Sequence, residues 1–302
     1  MNGSPVLVVH GGAGSLESEA VRARYRTGVR EALEAGCAAL ERGAHAAVVE
    51  AVAYMEAHTI MNAGRGAALD ADGRPSLDAG FMDGASRRYG GVAGVTRCMT
   101  PVRLAERLHR EGAFGVLVGA PGSDALVEEL GLPACAPGDL VTDRMRALHE
   151  ARGTARRGRP WLDTVGAVAL DAHGRLAAAV STGGISHKRR GRIGDSPVVG
   201  AGFWADDAAG ACVTTGVGEV LLRQGTARRA VQLLAEGATP ERACARALDE
   251  VLDHDGDDRG VSGLILVAPD GRVRLDHNSP EMSGGWARPG GERRLEHVWR
   301  AR

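Results

Sequence analysis

Apolar positions in this chain recur with two periods, and they divide it into alternating strands and helices. The run Val6-Leu7-Val8-Val9-His10 predicts a buried strand, with a tight turn at Gly11 to Gly14. From Glu19 to Arg42, Val21, Tyr25, Val29, Leu33 and Leu40 fall near helical spacing, and Gly43 is placed to end that helix. His45 to His58 predicts a second helix, rich in Ala and Val. Asn62 to Asp83 is rich in Gly and Asp and predicts short strands with turns. Tyr89 to Val95 and Phe114 to Val118 predict strands, with a helix opened by Pro101 between them. Ser123 to Leu130 predicts a short helix with Ser123 as its cap.

Pro133 to Pro160 predicts an exposed linker, with a helical stretch at Arg144 to Arg152. Beyond it, Thr164 to Leu170 and Leu176 to Ser181 predict paired strands, followed by strands at Val198 to Ala205 and Ala209 to Thr215. Helices are expected at Glu219 to Glu236 and Pro240 to Leu252. A last hairpin turns at Asp270-Gly271, between Val261 to Val267 and Gly271 to Leu275. Strands, a helix pair and strands again imply a layered α/β fold.

Composition narrows the function classes. A net charge of -1 gives no electrostatic case for nucleic acid or a membrane surface. The basic run at Arg152 to Arg159 is short and reads as a solvated face. The 5 cysteines include no CxxC pair, which disfavours a disulfide framework or a zinc site and makes a reducing cytoplasm the expected setting. No apolar run approaches a membrane span. His10-Gly11-Gly12-Ala13-Gly14 lacks the Gly-Lys-Ser/Thr of a phosphate loop. His254 among Asp253, Asp255, Asp257 and Asp258 does not match a calcium loop.

The candidate chemistry lies past the middle. Thr164 stands directly before an apolar strand, in Asp163-Thr164-Val165-Gly166. Thr182 follows in Ser181-Thr182-Gly183-Gly184. Arg192 and Asp195 share the loop Gly191-Arg192-Ile193-Gly194-Asp195-Ser196-Pro197, and Thr214-Thr215-Gly216-Val217-Gly218-Glu219 comes next. A threonine hydroxyl needs a base, and an N-terminal threonine carries one. Its α-amine has a reference pKa of about 7.7–8. Inside an intact chain that nitrogen is an amide, so a cut before Thr164 would switch such a site on.

With Val8 to Gly14, Asn62-Ala63-Gly64, Leu77 to Gly84 and Ser262-Gly263-Leu264-Ile265, these segments resemble the plant-type asparaginase and isoaspartyl peptidase family, which includes the glycosylasparaginases. The resemblance implies an N-terminal-nucleophile (Ntn) hydrolase with a four-layer α-β-β-α sandwich. Self-cleavage would yield an α-part, residues 1–163, and a β-part, residues 164–302, of one domain, paired as a dimer of αβ units. It implies Thr164 as nucleophile, Thr182 steadying it, and the Thr215 hydroxyl with the Gly216 N–H as oxyanion donors. Arg192 would take the substrate α-carboxylate and Asp195 its α-amine, beside the Gly218 backbone, with Asn62 at the edge. The implied substrates are small molecules, isoaspartyl dipeptides and L-asparagine. No organic cofactor is implied. A structural sodium on backbone carbonyls of Met55 to Arg65 is.

Two signals pull apart. Asp163 stands where asparaginases usually place Gly and matches glycosylasparaginases, whereas Ser181 to Gly184 matches the asparaginase side. Both leaving-group classes stay open. So does an uncut, non-catalytic relative that only binds aspartate-like ligands.

Overall fold

The computed structural model describes residues 3–16, 18–112, 115–152, 164–252, 261–291 and 293–299. Asp163, the linker from residue 153 onward with its basic run, and the acidic loop at 253–258 lie outside the described residues. In chain order the strands are β1 (Val6–Gly14), β2 (Leu77–Asp83), β3 (Tyr89–Val95), β4 (Val116–Gly119), β5 (Val165–Leu170), β6 (Leu176–Thr182), β7 (Phe203–Asp206), β8 (Gly210–Gly216), β9 (Ser262–Val267), β10 (Val273–His277), β11 (Glu281–Ala287) and β12 (Arg293–Trp299). The helices are α1 (Glu19–Ala39), α2 (Ala44–Ala57), α3 (Pro101–Glu111), α4 (Gly122–Glu129), α5 (Asp143–Arg152), α6 (Gly218–Gln224), α7 (Thr226–Ala235) and α8 (Pro240–Leu252).

The strands form two sheets. One has the order β12-β11-β1-β5-β6-β2-β3-β4 and the other β10-β9-β8-β7. All pairings are antiparallel except β3 with β4. Alternation within single strands partitions the core. Leu7 and Val9 of β1, with Ala167 of β5, pack against Val29, Leu33, Val48, Val52 and Leu104 of α1, α2 and α3. Val6 and Val8, with Val168 and Val180, turn the other way, towards Phe203, Val213, Ile265 and Val267 of the second sheet. The far side of that sheet, Cys212, Leu264 and Leu266, packs on Ala227, Val231, Ala243 and Leu248 of α7 and α8. Strands buried on both faces read as unbroken apolar runs, which is why β1, β5 and β9 stand out in the sequence.

Several expectations are corrected. The glycines after His10 do not turn. β1 continues to Gly14, because β11 pairs with Gly12 to Gly14 beyond a register shift between His10 and Gly12. Between Asn62 and Asp83 the only strand is β2, and the rest is loop. Ser123 does not cap α4: it is buried and its hydroxyl donates to the Ala93 carbonyl at 2.9 Å. Val198 to Gly202 forms turns, with a strand only from Phe203. The helix expected from Glu219 to Glu236 is two, broken at Gly225, whose φ of 61° puts it in the left-handed region that favours glycine. The hairpin of β9 and β10 is not the last one, since β11 and β12 follow and pair. The described part of the expected linker is mostly exposed and carries α5 where a helical stretch was expected; only Leu140, in the 3-10 turn Pro137–Leu140, and Met145 of α5 are buried.

Candidate active site

Thr164 precedes β5 at its buried end, and Thr182 closes β6, the strand beside it. Antiparallel register sets Val165 opposite Ser181, so the two threonines meet at one end of the pair. The Thr164 hydroxyl donates to Thr182 Oγ1 at 3.2 Å, and the Gly184 N–H donates to the same oxygen at 2.9 Å. Both threonines are buried, as little as 5% and 3% exposed.

Asn62 ties the turn after Thr182 in place. Its amide Nδ2 donates to the Gly184 carbonyl at 2.7 Å, its Oδ1 accepts from the Ala68 N–H at 2.6 Å, and its backbone carbonyl accepts from the Gly183 N–H at 3.0 Å. Asn62 thus braces the backbone beneath Thr182.

Arg192 and Asp195 converge on Gly218, where α6 begins. A Cβ on Gly218 would lie 2.8 Å from Arg192 Nη2 and 2.9 Å from Asp195 Oδ1, so a cation and a carboxylate flank the same bare Cα. Asp195 is buried, with the Thr214 hydroxyl 3.3 Å from its Oδ2. Burial pushes the Asp195 carboxyl up to about 7, against the pull of its own backbone hydrogen bond and of Arg192. Arg192 forms a two-point pair with Glu219, Nε to Oε1 and Nη2 to Oε2, each at 2.8 Å.

Thr215 and Gly216 end β8. The Thr215 hydroxyl is fully buried and has no hydrogen-bond partner among the described residues. Such a donor costs free energy unless a ligand or water satisfies it. β5 lies against β8 here, since a Cβ on Gly166 would come within 2.9 Å of Val213.

Three further groups border the site, and sequence reasoning gave none of them a role there. Glu219 stands in the sequence only as the opening residue of the expected helix from Glu219 to Glu236. Lys188, the chain's only lysine, is 2% exposed and donates to the Ser76 carbonyl at 2.7 Å, with its Nζ 2.9 Å from where a Gly184 Cβ would stand. His10 lies within β1, opposite Gly166 and next to the Thr164 backbone. Burial holds it down to about 3, outweighing the opposing influence of the Thr164 backbone, so it is neutral at physiological pH.

At the end of α2 and in the loop after it, the carbonyls of Met55, Glu56 and His58 accept backbone N–H groups at 3.2, 2.8 and 3.2 Å, and that of Ile60 accepts from Arg144 Nη1 at 3.2 Å. The carbonyl oxygens of Thr59 and Met61 converge on Gly66, 2.9 and 2.7 Å from where its Cβ would stand. No group of three or more His, Cys, Asp or Glu suited to a metal occurs among the described residues.

A buried threonine pair on adjacent strands, a braced turn and a cation–carboxylate pair across a glycine form one connected site on a two-sheet α/β frame. The chain belongs to the asparaginase family, whose model matches residues 3–295. It is 41% identical over 293 residues to a plant-type L-asparaginase of Pyrobaculum calidifontis, covering 94% of this chain and 97% of the relative. It is 38% identical over 295 residues to an isoaspartyl peptidase/L-asparaginase of Danio rerio, covering 95% and 93%. It is 39% identical over 303 residues to an isoaspartyl peptidase of Salmonella typhimurium, covering 94% and 96%. The protein is thus a hydrolase of asparaginase type.

Proposed function

We propose that the protein cuts itself before Thr164 and then hydrolyses β-aspartyl amide bonds, in isoaspartyl dipeptides and L-asparagine. The observation that carries this reading is the Thr164–Thr182 hydrogen bond at 3.2 Å, which aims the hydroxyl of the would-be N-terminal residue within the buried end of its strand pair. The freed α-amine takes the Thr164 hydroxyl proton, and Oγ1 attacks the side-chain carbonyl of the substrate. The oxyanion that forms is met by the Thr215 hydroxyl, buried and without a partner among the described residues, and by the Gly216 N–H. The proton passes to the leaving amine, an ester on Thr164 remains, and water releases aspartate. Arg192 holds the α-carboxylate and Asp195 the α-amine, so both charges of the zwitterion are held before reaction.

The frame supporting this is a four-layer α-β-β-α sandwich, a reading supported by the three apolar clusters that join α1 to α3, the two sheets, and α7 with α8. Neutral carbonyl oxygens suit sodium. Those of Thr59 and Met61 would hold such an ion, which would stiffen the loop leading to Asn62 and take no part in the chemistry. Five free cysteines suit a reducing cytoplasm, and no helix among the described residues is long and apolar enough to cross a membrane. Pairing into a dimer of αβ units rests on the resemblance and is tested by sedimentation.

The test is a denaturing gel with N-terminal sequencing, beside an assay on β-Asp-Leu, L-asparagine and a β-aspartyl glycosylamine. Two fragments are expected, the smaller beginning Thr-Val-Gly-Ala-Val, with Thr164→Ala left whole. An uncut wild type that still turns over substrate would overturn the mechanism. Preference for the glycosylamine would move the substrate class to that of the glycosylasparaginases.

A further inference from the structure

Arg192 has been given one task, holding a carboxylate, yet it already holds one. Glu219 engages it through Nε and Nη2, the side edge of the guanidinium. A guanidinium is a flat fork with five N–H groups, and a carboxylate on its side edge leaves the end edge, Nη1 with the second Nη2 hydrogen, open to another. That end edge borders the glycines of the site. A Cβ would lie 2.8 Å from Nη1 on Gly194 and 3.4 Å from Nη1 on Gly184, and 2.8 Å from Nη2 on Gly218. Gly184 follows the turn that carries Thr182, and Gly218 follows Thr215 and Gly216. The open edge therefore borders the segments that carry the reacting groups.

Charges of both signs surround Arg192: buried Lys188 repels it, buried Asp78 and Asp195 attract it, and the half-exposed Glu219 attracts it from the solvent side. Arg192 itself is only 14% exposed and Glu219 is 56% exposed. A partly solvated ion pair adds little to stability, so the value of this one lies in orientation. Without Glu219 the side edge loses both of its hydrogen bonds, and the guanidinium plane is free to turn about its stem.

We propose that Glu219 is a positioning residue for substrate: by occupying the side edge of Arg192 it fixes the guanidinium plane, so that the end edge receives the substrate α-carboxylate. This rests on the β-aspartyl reading above and adds to it a determinant of affinity on α6. The opposite reading is that Glu219 competes with substrate for Arg192. The two differ in sign.

The experiment compares wild type, Glu219→Ala and Glu219→Gln in their processed form. It uses steady-state kinetics on β-Asp-Leu, calorimetric binding of L-aspartate, thermal denaturation and a gel for self-cleavage. Positioning predicts a KM and an L-aspartate Kd raised about tenfold in Glu219→Ala, the scale of one charged hydrogen bond. Glu219→Gln, which keeps one acceptor, should fall between. kcat should stay within about twofold, and self-cleavage and Tm should hold, because the internal scissile bond presents no free α-carboxylate. Unchanged or tighter binding in either variant overturns the proposal, and so does a loss of kcat at constant KM. If wild type binds L-aspartate but hydrolyses no β-aspartyl peptide, the functional reading falls while the Kd series still decides the role of Glu219. If wild type binds no L-aspartate, both fall.

Discussion

Thr182 receives two hydrogen bonds on one oxygen, from the Thr164 hydroxyl at 3.2 Å and from the Gly184 N–H at 2.9 Å. The Gly184 bond pins the acceptor, and the pinned acceptor orients the Thr164 hydroxyl. Thr182→Val keeps the shape and removes the acceptor. Its kcat on β-Asp-Leu is expected to fall roughly tenfold, the upper range for one neutral hydrogen bond, while Thr182→Ser stays within about threefold. Equal rates for Val and wild type would detach Thr182 from the reaction.

Gly218 is bare where Arg192 and Asp195 meet. In Gly218→Ala the methyl would press on both, at 2.8 Å from Nη2 and 2.9 Å from Oδ1. KM should rise by at least about tenfold, as for losing a charged hydrogen bond, with Tm little changed because the first turn of α6 accepts alanine. An unaltered KM would show that substrate charge is read elsewhere.

Asp195 sets a pH dependence. Its carboxyl is pushed up to about 7 by burial, so acidifying below that value neutralises it and, on the proposed reading, would remove the partner of the substrate ammonium. KM should therefore rise as pH falls from 7.5 towards about 5.5, approaching tenfold per unit well below the pKa. Glu219, held below the usual carboxylate range first by its hydrogen bonds to Arg192, stays charged across that window and does not contribute. Asp195→Asn should bind weakly with the slope flattened. Initial rates across pH decide this.

Maturation is a separate prediction. A carboxylate at Asp163 would serve as base on the Thr164 hydroxyl while the α-amine is still an amide. Asp163→Asn should then release fragments more slowly than wild type, and wild-type processing should slow as pH drops towards about 4. Matching time courses on a gel would make Asp163 a bystander.

The sequence made some of this legible and hid the rest for identifiable reasons. β1, β5 and β9 are buried on both faces and announce themselves as apolar runs. β11 does not, because Gly284-Gly285 sits mid-strand, and its extended form comes from pairing with β1 on one side and β12 on the other. The same pairing keeps Gly12 to Gly14 extended where local chemistry suggested a turn. Thr164, Thr182, Arg192 and Asp195 were legible as motif residues, and the structure joins them through Gly184 and Gly218. Glu219 was not, since its partner Arg192 lies on a separate loop and only the folded chain brings them together.

The larger sheet interleaves what a cut before Thr164 would separate. Residues ahead of the cut supply β1 to β4 and those after it supply β5, β6, β11 and β12, with β1 walled in between β11 and β5. The severed pieces would be woven together, and neither could leave without unzipping three ladders, β11 with β1, β1 with β5 and β6 with β2. Once cut, the molecule would fold only by meeting its other half. Renaturation of mature protein should become more efficient at higher concentration, whereas the uncut Thr164→Ala chain should refold at a yield that does not rise with it. Maturation would thus turn a self-contained chain into one whose folding, once lost, depends on encounter.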